Sequence, residues 1–262
     1  MNTISILGSG WLGLPLAQHF LQAGYTVNAS TTSDSRVADI ESIGANPFIV
    51  DIDSFPQSIE NFLKANILII NIPSKNIDGF SQLLHEIEKS DIENVLFVSS
   101  TSVYQETNTT ITESDGVESV QSPLLNIENL FRSSGKFKTT IVRFGGLIGY
   151  SRKPGMFFRK GKSVRNADSN VNLIHHDDCI GIINGIIEQE VWGDVFNCCA
   201  DTHPTKREFY TLAAESIGRP APEFESQDTR SFKIISNQKV KRVLGYTFKY
   251  PDLMNIEFNE SR

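Results

Sequence analysis

A chain of 262 residues with 39% hydrophobic side chains can bury a substantial core, which excludes disorder and suits one large α/β domain or a domain with a smaller lobe. A formal net charge of −7 without any Lys/Arg cluster excludes a nucleic-acid partner, because phosphate backbones are bound by concentrated positive charge. No apolar run is longer than Ile67-Leu68-Ile69-Ile70, far short of the roughly 20 residues that span a bilayer, so no membrane partner is expected either.

The amino terminus, Met1-Asn2-Thr3-Ile4-Ser5-Ile6-Leu7, enters a strand pattern without the features of a signal peptide, and a cytoplasmic protein is the expectation. Short Ile/Val/Leu-rich runs predict strands near 3–7, 26–30, 47–50, 66–71, 93–99 and 138–143. Amphipathic stretches between them predict helices near 11–23, 35–43, 56–64, 77–89 and 123–134, each long enough for the crossover that parallel strands require. This alternation predicts an α/β fold, a Rossmann-type doubly wound parallel sheet. The polar segment 105–121 predicts a long loop. After Gly145-Gly146 the character changes, and a strand near 194–199 with helices near 176–189, 204–217 and 236–244 predicts a smaller lobe. The expected domains are therefore a Rossmann-type domain over 1–150 and a smaller mixed α/β lobe over 151–262. That lobe is expected to pack on the first domain, with part of its chain free to return to the main sheet. Cys179, Cys198 and Cys199 show no metal-ligand spacing and read as buried, reduced thiols.

The chemistry begins at Gly8-Ser9-Gly10-Trp11-Leu12-Gly13, between the first strand and the first helix. Gly8 permits the tight turn, Gly10 lets backbone approach a pyrophosphate, and Gly13 lets the helix pack closely on the sheet. The helix start then offers N–H groups and a positive dipole end to phosphates. Where an NAD site usually carries Asp or Glu after the second strand, this chain has Ser30-Thr31-Thr32-Ser33-Asp34-Ser35-Arg36. Thr31, Thr32 and Arg36 suit a 2′-phosphate, which favours NADP(H) over NAD(H), although Ser33 or Asp34 can equally be read as a helix cap.

These residues, with several later segments, resemble the extended and atypical short-chain dehydrogenase/reductases, in particular the NAD-dependent epimerase/dehydratase (nucleoside-diphosphate-sugar epimerase-like) branch. The match includes Gly10-Trp11-Leu12-Gly13, with Leu7 where the family has its first glycine, and Asp51, which resembles an aspartate beside the adenine or else caps a helix. Ser99-Ser100-Thr101-Ser102-Val103-Tyr104, Arg143-Phe144-Gly145-Gly146-Leu147-Ile148-Gly149 and Ile174-His175-His176-Asp177-Asp178 resemble further family segments. The resemblance implies cofactor contacts at Ile72, Pro73 and Ser99 and a small-molecule substrate of the nucleotide-sugar kind, and leaves a homodimer open. It implies a catalytic serine at Ser100.

The family's Tyr-x-x-x-Lys pair is missing, because Leu124 stands in the tyrosine's place and Glu128 in the lysine's. Leucine carries no proton, and a carboxylate would raise rather than lower the pKa of a nearby phenol. Tyr104 is the substitute proton-transfer candidate, and His175 and Arg152 are candidate substrate contacts, with Tyr150, Lys153, Phe157 and Arg159 nearby in sequence. Two readings follow. One is an oxidoreductase or epimerase with an atypical proton donor, and the other is a catalytically inactive NADP(H)-binding sensor or regulatory protein.

Overall fold

The computed structural model describes residues 2–56, 58–158, 163–225 and 231–258. Seven strands, β1 (Thr3–Leu7), β2 (Thr26–Thr31), β3 (Asn46–Ile49), β4 (Ile67–Ile70), β5 (Asn94–Ser100), β7 (Lys138–Phe144) and β10 (Val195–Cys198), form one mostly parallel sheet in the order β10-β7-β5-β4-β1-β2-β3. Ile4 pairs with Val27 on one side and Ile67 on the other, and Ile67 pairs in turn with Asn94. This is the doubly wound α/β fold that the alternation predicts. β4 is apolar and buried at all four positions, because a central parallel strand is covered on both faces. The edge strand β3 carries Pro47, which a central strand would not tolerate, and exposes Ile49. Sequence order reverses between β1 and β4, so the crevice where such sheets bind ligands opens there.

The chain falls into two compact units. The first comprises Met1–Ser99, Val120–Val142 and Glu190–Val195, with helices α1 (Gly13–Gln22), α2 (Val37–Ser42), α3 (Ile77–Ile87) and α4 (Pro123–Arg132). α1 buries Leu16, Ala17 and Phe20. α4 starts with Pro123 behind an Ser122 cap and brings Phe131 against Phe97 with ring centroids 5.7 Å apart, beside Phe80. The helix expected over 56–64 is not formed. The described part of that stretch makes turns, with Ile59, Phe62 and Leu63 buried, so a single turn already satisfies its i, i+3, i+4 apolar spacing.

The second unit comprises Ser100–Ser119, Arg143–Gln189 and Phe196–Arg262. It holds two short parallel pairs, β6 (Thr110–Ile111) with β11 (Ile234–Ile235) and β8 (Gly146–Ile148) with β9 (Leu173–His175). Its helices are α5 (His176–Glu188), α6 (Lys206–Glu215) and α7 (Gln238–Leu244). Ile148, Val171, Leu173, Phe209, Leu253 and Phe258 form its core. Segment 105–121 is anchored through β6 and through Asn108, whose backbone N–H donates to Phe232 O at 2.8 Å while its side chain accepts from Phe232 N. All three cysteines are buried and unpaired, and burial pushes their thiols up.

Candidate functional site

In the first unit the strand-to-helix turn has little steric freedom. Gly8 has φ +98°, and a Cβ there would sit 2.5 Å from Asn71 O, so no other residue fits. A Cβ on Gly13 would lie 2.0 Å from Gly8 O, which is the close packing of helix on turn. Gly10 differs, since a Cβ would meet nothing within 4 Å. Its side of the turn faces open space. The turn is held by β2: Gly8 N donates to Ser30 Oγ at 2.9 Å, and Ser9 donates to Ser30 O from its backbone N at 2.8 Å and its hydroxyl at 2.7 Å.

Helices α3, α4, α5 and α6 each carry a side-chain cap, from Asn76, Ser122, His175 and Thr205. α1 carries none. Leu12 occupies its cap position, and no acidic residue lies in its first turn. An anion would complete such a helix start, matching both its N–H donors and its dipole. The cradle therefore fits a dinucleotide pyrophosphate.

The remaining first-unit candidates lie along the carboxyl ends of the strands. Thr31 ends β2, buried, and Thr32 follows it, exposed. Arg36 is exposed and pairs with Asp39 at 3.3 Å. The helix there lacks a side-chain cap from Ser33, whose hydroxyl instead meets that of Ser35 at 2.7 Å. Asp51 accepts from Asp53 N at 2.9 Å, which makes it a local turn residue in its present bonds. Ile72 is half-buried with its Cγ2 against Gly8, and Pro73 is exposed. Ser99, near the end of β5, is buried and donates its hydroxyl to Glu128 Oε1 at 2.5 Å, while Leu124 packs on the core. Glu128 is wholly inaccessible at 0% exposure. Nothing in the sequence links it to Ser99, 29 residues away.

In the second unit Ser100 is half-buried, and its Oγ accepts from Ser102 N at 3.1 Å. Tyr104 is buried in a polar cluster. Its hydroxyl donates to Asn197 Oδ1 at 2.9 Å and accepts from Arg143 Nη1 at 2.6 Å, and the same Nη1 meets Glu118 Oε1 at 2.6 Å. Burial pushes the Tyr104 phenol up to about 12 despite the opposing pull of Arg143. Among the described residues, Asn197 Nδ2 is the buried side-chain nitrogen without a partner.

Gly149 has φ +118°, and a Cβ there would strike His175 Nε2 at 2.5 Å, so the glycine makes room for the imidazole. His175 is buried, its ring centroid 3.7 Å from that of Tyr250, and its Nδ1 accepts from Asp177 N at 3.3 Å as the α5 cap. Tyr150, at φ +49°, donates its hydroxyl to Asp177 at 2.8 Å. Such a backbone is uncommon outside glycine. Arg152 is exposed and exchanges backbone hydrogen bonds with Gly149, whereas Arg159 lies outside the described residues.

Asp178 is not a helix cap. It accepts from Tyr246 Oη at 2.9 Å, Lys249 N at 2.7 Å and Tyr250 N at 3.1 Å, thereby fixing the segment that carries Tyr250. Burial raises its carboxyl above the ordinary range against the pull of these bonds, and raises the Tyr246 phenol as well.

This is the fold of the NAD-dependent epimerase/dehydratase and short-chain dehydrogenase/reductase structures. The chain superposes on UDP-glucuronic acid 4-epimerase from Bacillus cereus, solved with UDP-glucuronic acid and NAD, with a TM-score of 0.78 at 17% identity over 98% of both chains. A short-chain dehydrogenase/reductase superfamily protein from Agrobacterium tumefaciens with bound NAD gives 0.76 at 18% identity, over 94% of this chain and 92% of that one. In sequence, the chain is 28% identical to protein YeeZ of Escherichia coli K12 over 268 aligned positions, 96% of this chain and 97% of the relative. No family model matches.

Proposed function

We propose that this protein binds NADP(H) in preference to NAD(H) at the 8–13 turn and acts as an oxidoreductase or epimerase on a nucleotide sugar or a related carbonyl compound. The observation that carries this reading is the uncapped, acid-free start of α1 beside the open face of Gly10. Solved relatives of the same fold hold NAD and UDP-sugars, which supports both ligand classes. Thr31, Thr32 and Arg36 favour a 2′-phosphate through hydroxyl donors and a guanidinium. Asp51, Ile72, Pro73 and Ser99 complete the proposed cofactor contacts.

When bound, the nicotinamide supplies the hydride donor or acceptor. Ser100 is the proposed group that orients the reacting oxygen, since its Oγ accepts locally and its O–H remains to donate. Tyr104 is the proposed proton-transfer residue, and because burial holds its phenol at about 12 even beside Arg143, it is protonated at neutral pH and serves as a proton donor. His175 and Arg152 are the proposed substrate contacts.

The alternative, a non-catalytic NADP(H) sensor or regulator, is favoured by the replacement of the usual Tyr and Lys with Leu124 and Glu128. Thermal shift with NAD, NADH, NADP and NADPH tests the shared part. A ligand at 100 times its Kd stabilises by about 2.7 kcal/mol, and no shift with any of the four would overturn the cofactor reading. Arg36→Ala is expected to weaken NADPH about tenfold, roughly 1.4 kcal/mol, and to leave NADH unchanged. Turnover on any nucleotide sugar or carbonyl substrate then separates enzyme from sensor.

A further inference from the structure

Among the described residues, Glu128 is a glutamate sealed entirely from solvent, with 0% exposure, at a place where the fold has a use for charge. Its carboxylate receives the hydroxyl of Ser99, the next-to-last residue of β5. β5 lies two strands from β1, about 10 Å away at ordinary strand spacing, on the side opposite β2. Dinucleotides lie across the carboxyl ends of such sheets, with the pyrophosphate on the first turn and one ribose at the end of the second strand. With those two points assigned to the 8–13 turn and to Thr31, the other half of the molecule, which ends in nicotinamide, extends over β4 and β5.

The two redox forms of that ring differ by one unit of charge, the oxidised ring being cationic and the dihydro ring neutral. A buried carboxylate discriminates between them, because the interior screens its field far less than water does. We infer that Glu128 makes the site selective for the oxidised dinucleotide. The inference rests on the cofactor reading above, and it applies to the enzyme and to the sensor alike. An enzyme of this kind rests loaded with a hydride acceptor, and a sensor of this kind reports the oxidised pool.

Isothermal titration of the full chain with NADP+, NADPH, NAD+ and NADH tests it by binding alone. The expected result is an oxidised form bound about tenfold tighter than its reduced partner. Glu128→Gln, which keeps the side-chain shape, is expected to bring that ratio close to one by weakening the oxidised form alone. A wild-type chain that binds the reduced form as tightly or more tightly overturns the inference while leaving the dinucleotide site standing. A folded Glu128→Gln variant with an unchanged ratio overturns it too. Binding of none of the four overturns the cofactor reading and this inference together. Circular dichroism establishes whether Glu128→Gln folds, and where it does not, the wild-type ratio decides.

Discussion

The 8–13 turn and the cluster around Arg143 both gather polar groups near strand ends, but they finish their hydrogen bonding differently. At the turn, backbone donors sit before an uncapped helix, and the one glycine without a steric neighbour faces open space. In the cluster, a guanidinium at 1% exposure is matched to Glu118 and to the Tyr104 hydroxyl. Donors left for a ligand mark a binding surface, whereas donors spent on neighbours mark a support. The contrast weighs on the proposed role of Tyr104, whose hydroxyl is engaged as both donor and acceptor.

Four variants sharpen or break that contrast. Arg143→Ala would leave Glu118 facing a buried void, and urea denaturation should show a loss of about 3–5 kcal/mol; a loss under 1 would mean that the cluster is no support. Gly13→Ala must displace Gly8 O and should cost about 1–3 kcal/mol by the same measurement.

Asp178→Asn keeps an amide oxygen for Tyr246 and Lys249 but turns Oδ2, which accepts from Tyr250 N, into a donor, and should cost about 1–2 kcal/mol. The variant should also change the pH dependence. Because the folded carboxyl is raised above its ordinary 3.8, the folded state holds a proton that the unfolded state has released, so this residue makes stability fall as pH rises from 3.8 through the raised value. Denaturation midpoints across that range should decline less steeply in the Asn variant. Gly10→Ala has room for its methyl group and should change stability by under about 0.5 kcal/mol while abolishing the nucleotide-induced thermal shift. A full shift in that variant would show that the open face is not where the ligand sits.

The sheet was legible because strand and helix periods are local properties, and β1 through β5 alternate with apolar faces that a short window reveals. The glycine turn was legible from its spacing, since Gly13 is demanded by Gly8 O within the same turn, although the Asn71 O that excludes a side chain at Gly8 lies 63 residues away. The stretch 56–64 misled, since Ile59, Phe62 and Leu63 carry helical spacing, and only packing decided that turns suffice. Pairings over distance were not legible. Tyr104 and Glu118 face each other across an antiparallel bridge within one stretch, but Arg143 and Asn197 come from two others, and no spacing rule joins the three. The α5 cap is His175, whose Nδ1 accepts from Asp177 N, while the partners of Asp178 lie 68 to 72 residues further along the chain. Glu128 stood out as a departure in sequence, yet its bond to Ser99 required the fold.

The braided order of the second unit has a consequence for synthesis on the ribosome. Asn108 bonds Phe232, 124 residues later, and Asp178 waits for partners 68 to 72 residues downstream. At roughly 5–20 residues per second, the first of these gaps corresponds to about 6–25 s during which segment 105–121 has emerged without its mate. A nascent chain that has just reached residue 231 therefore has every strand of its main sheet translated, while the polar segment between β5 and α4 still lacks the strand that anchors it.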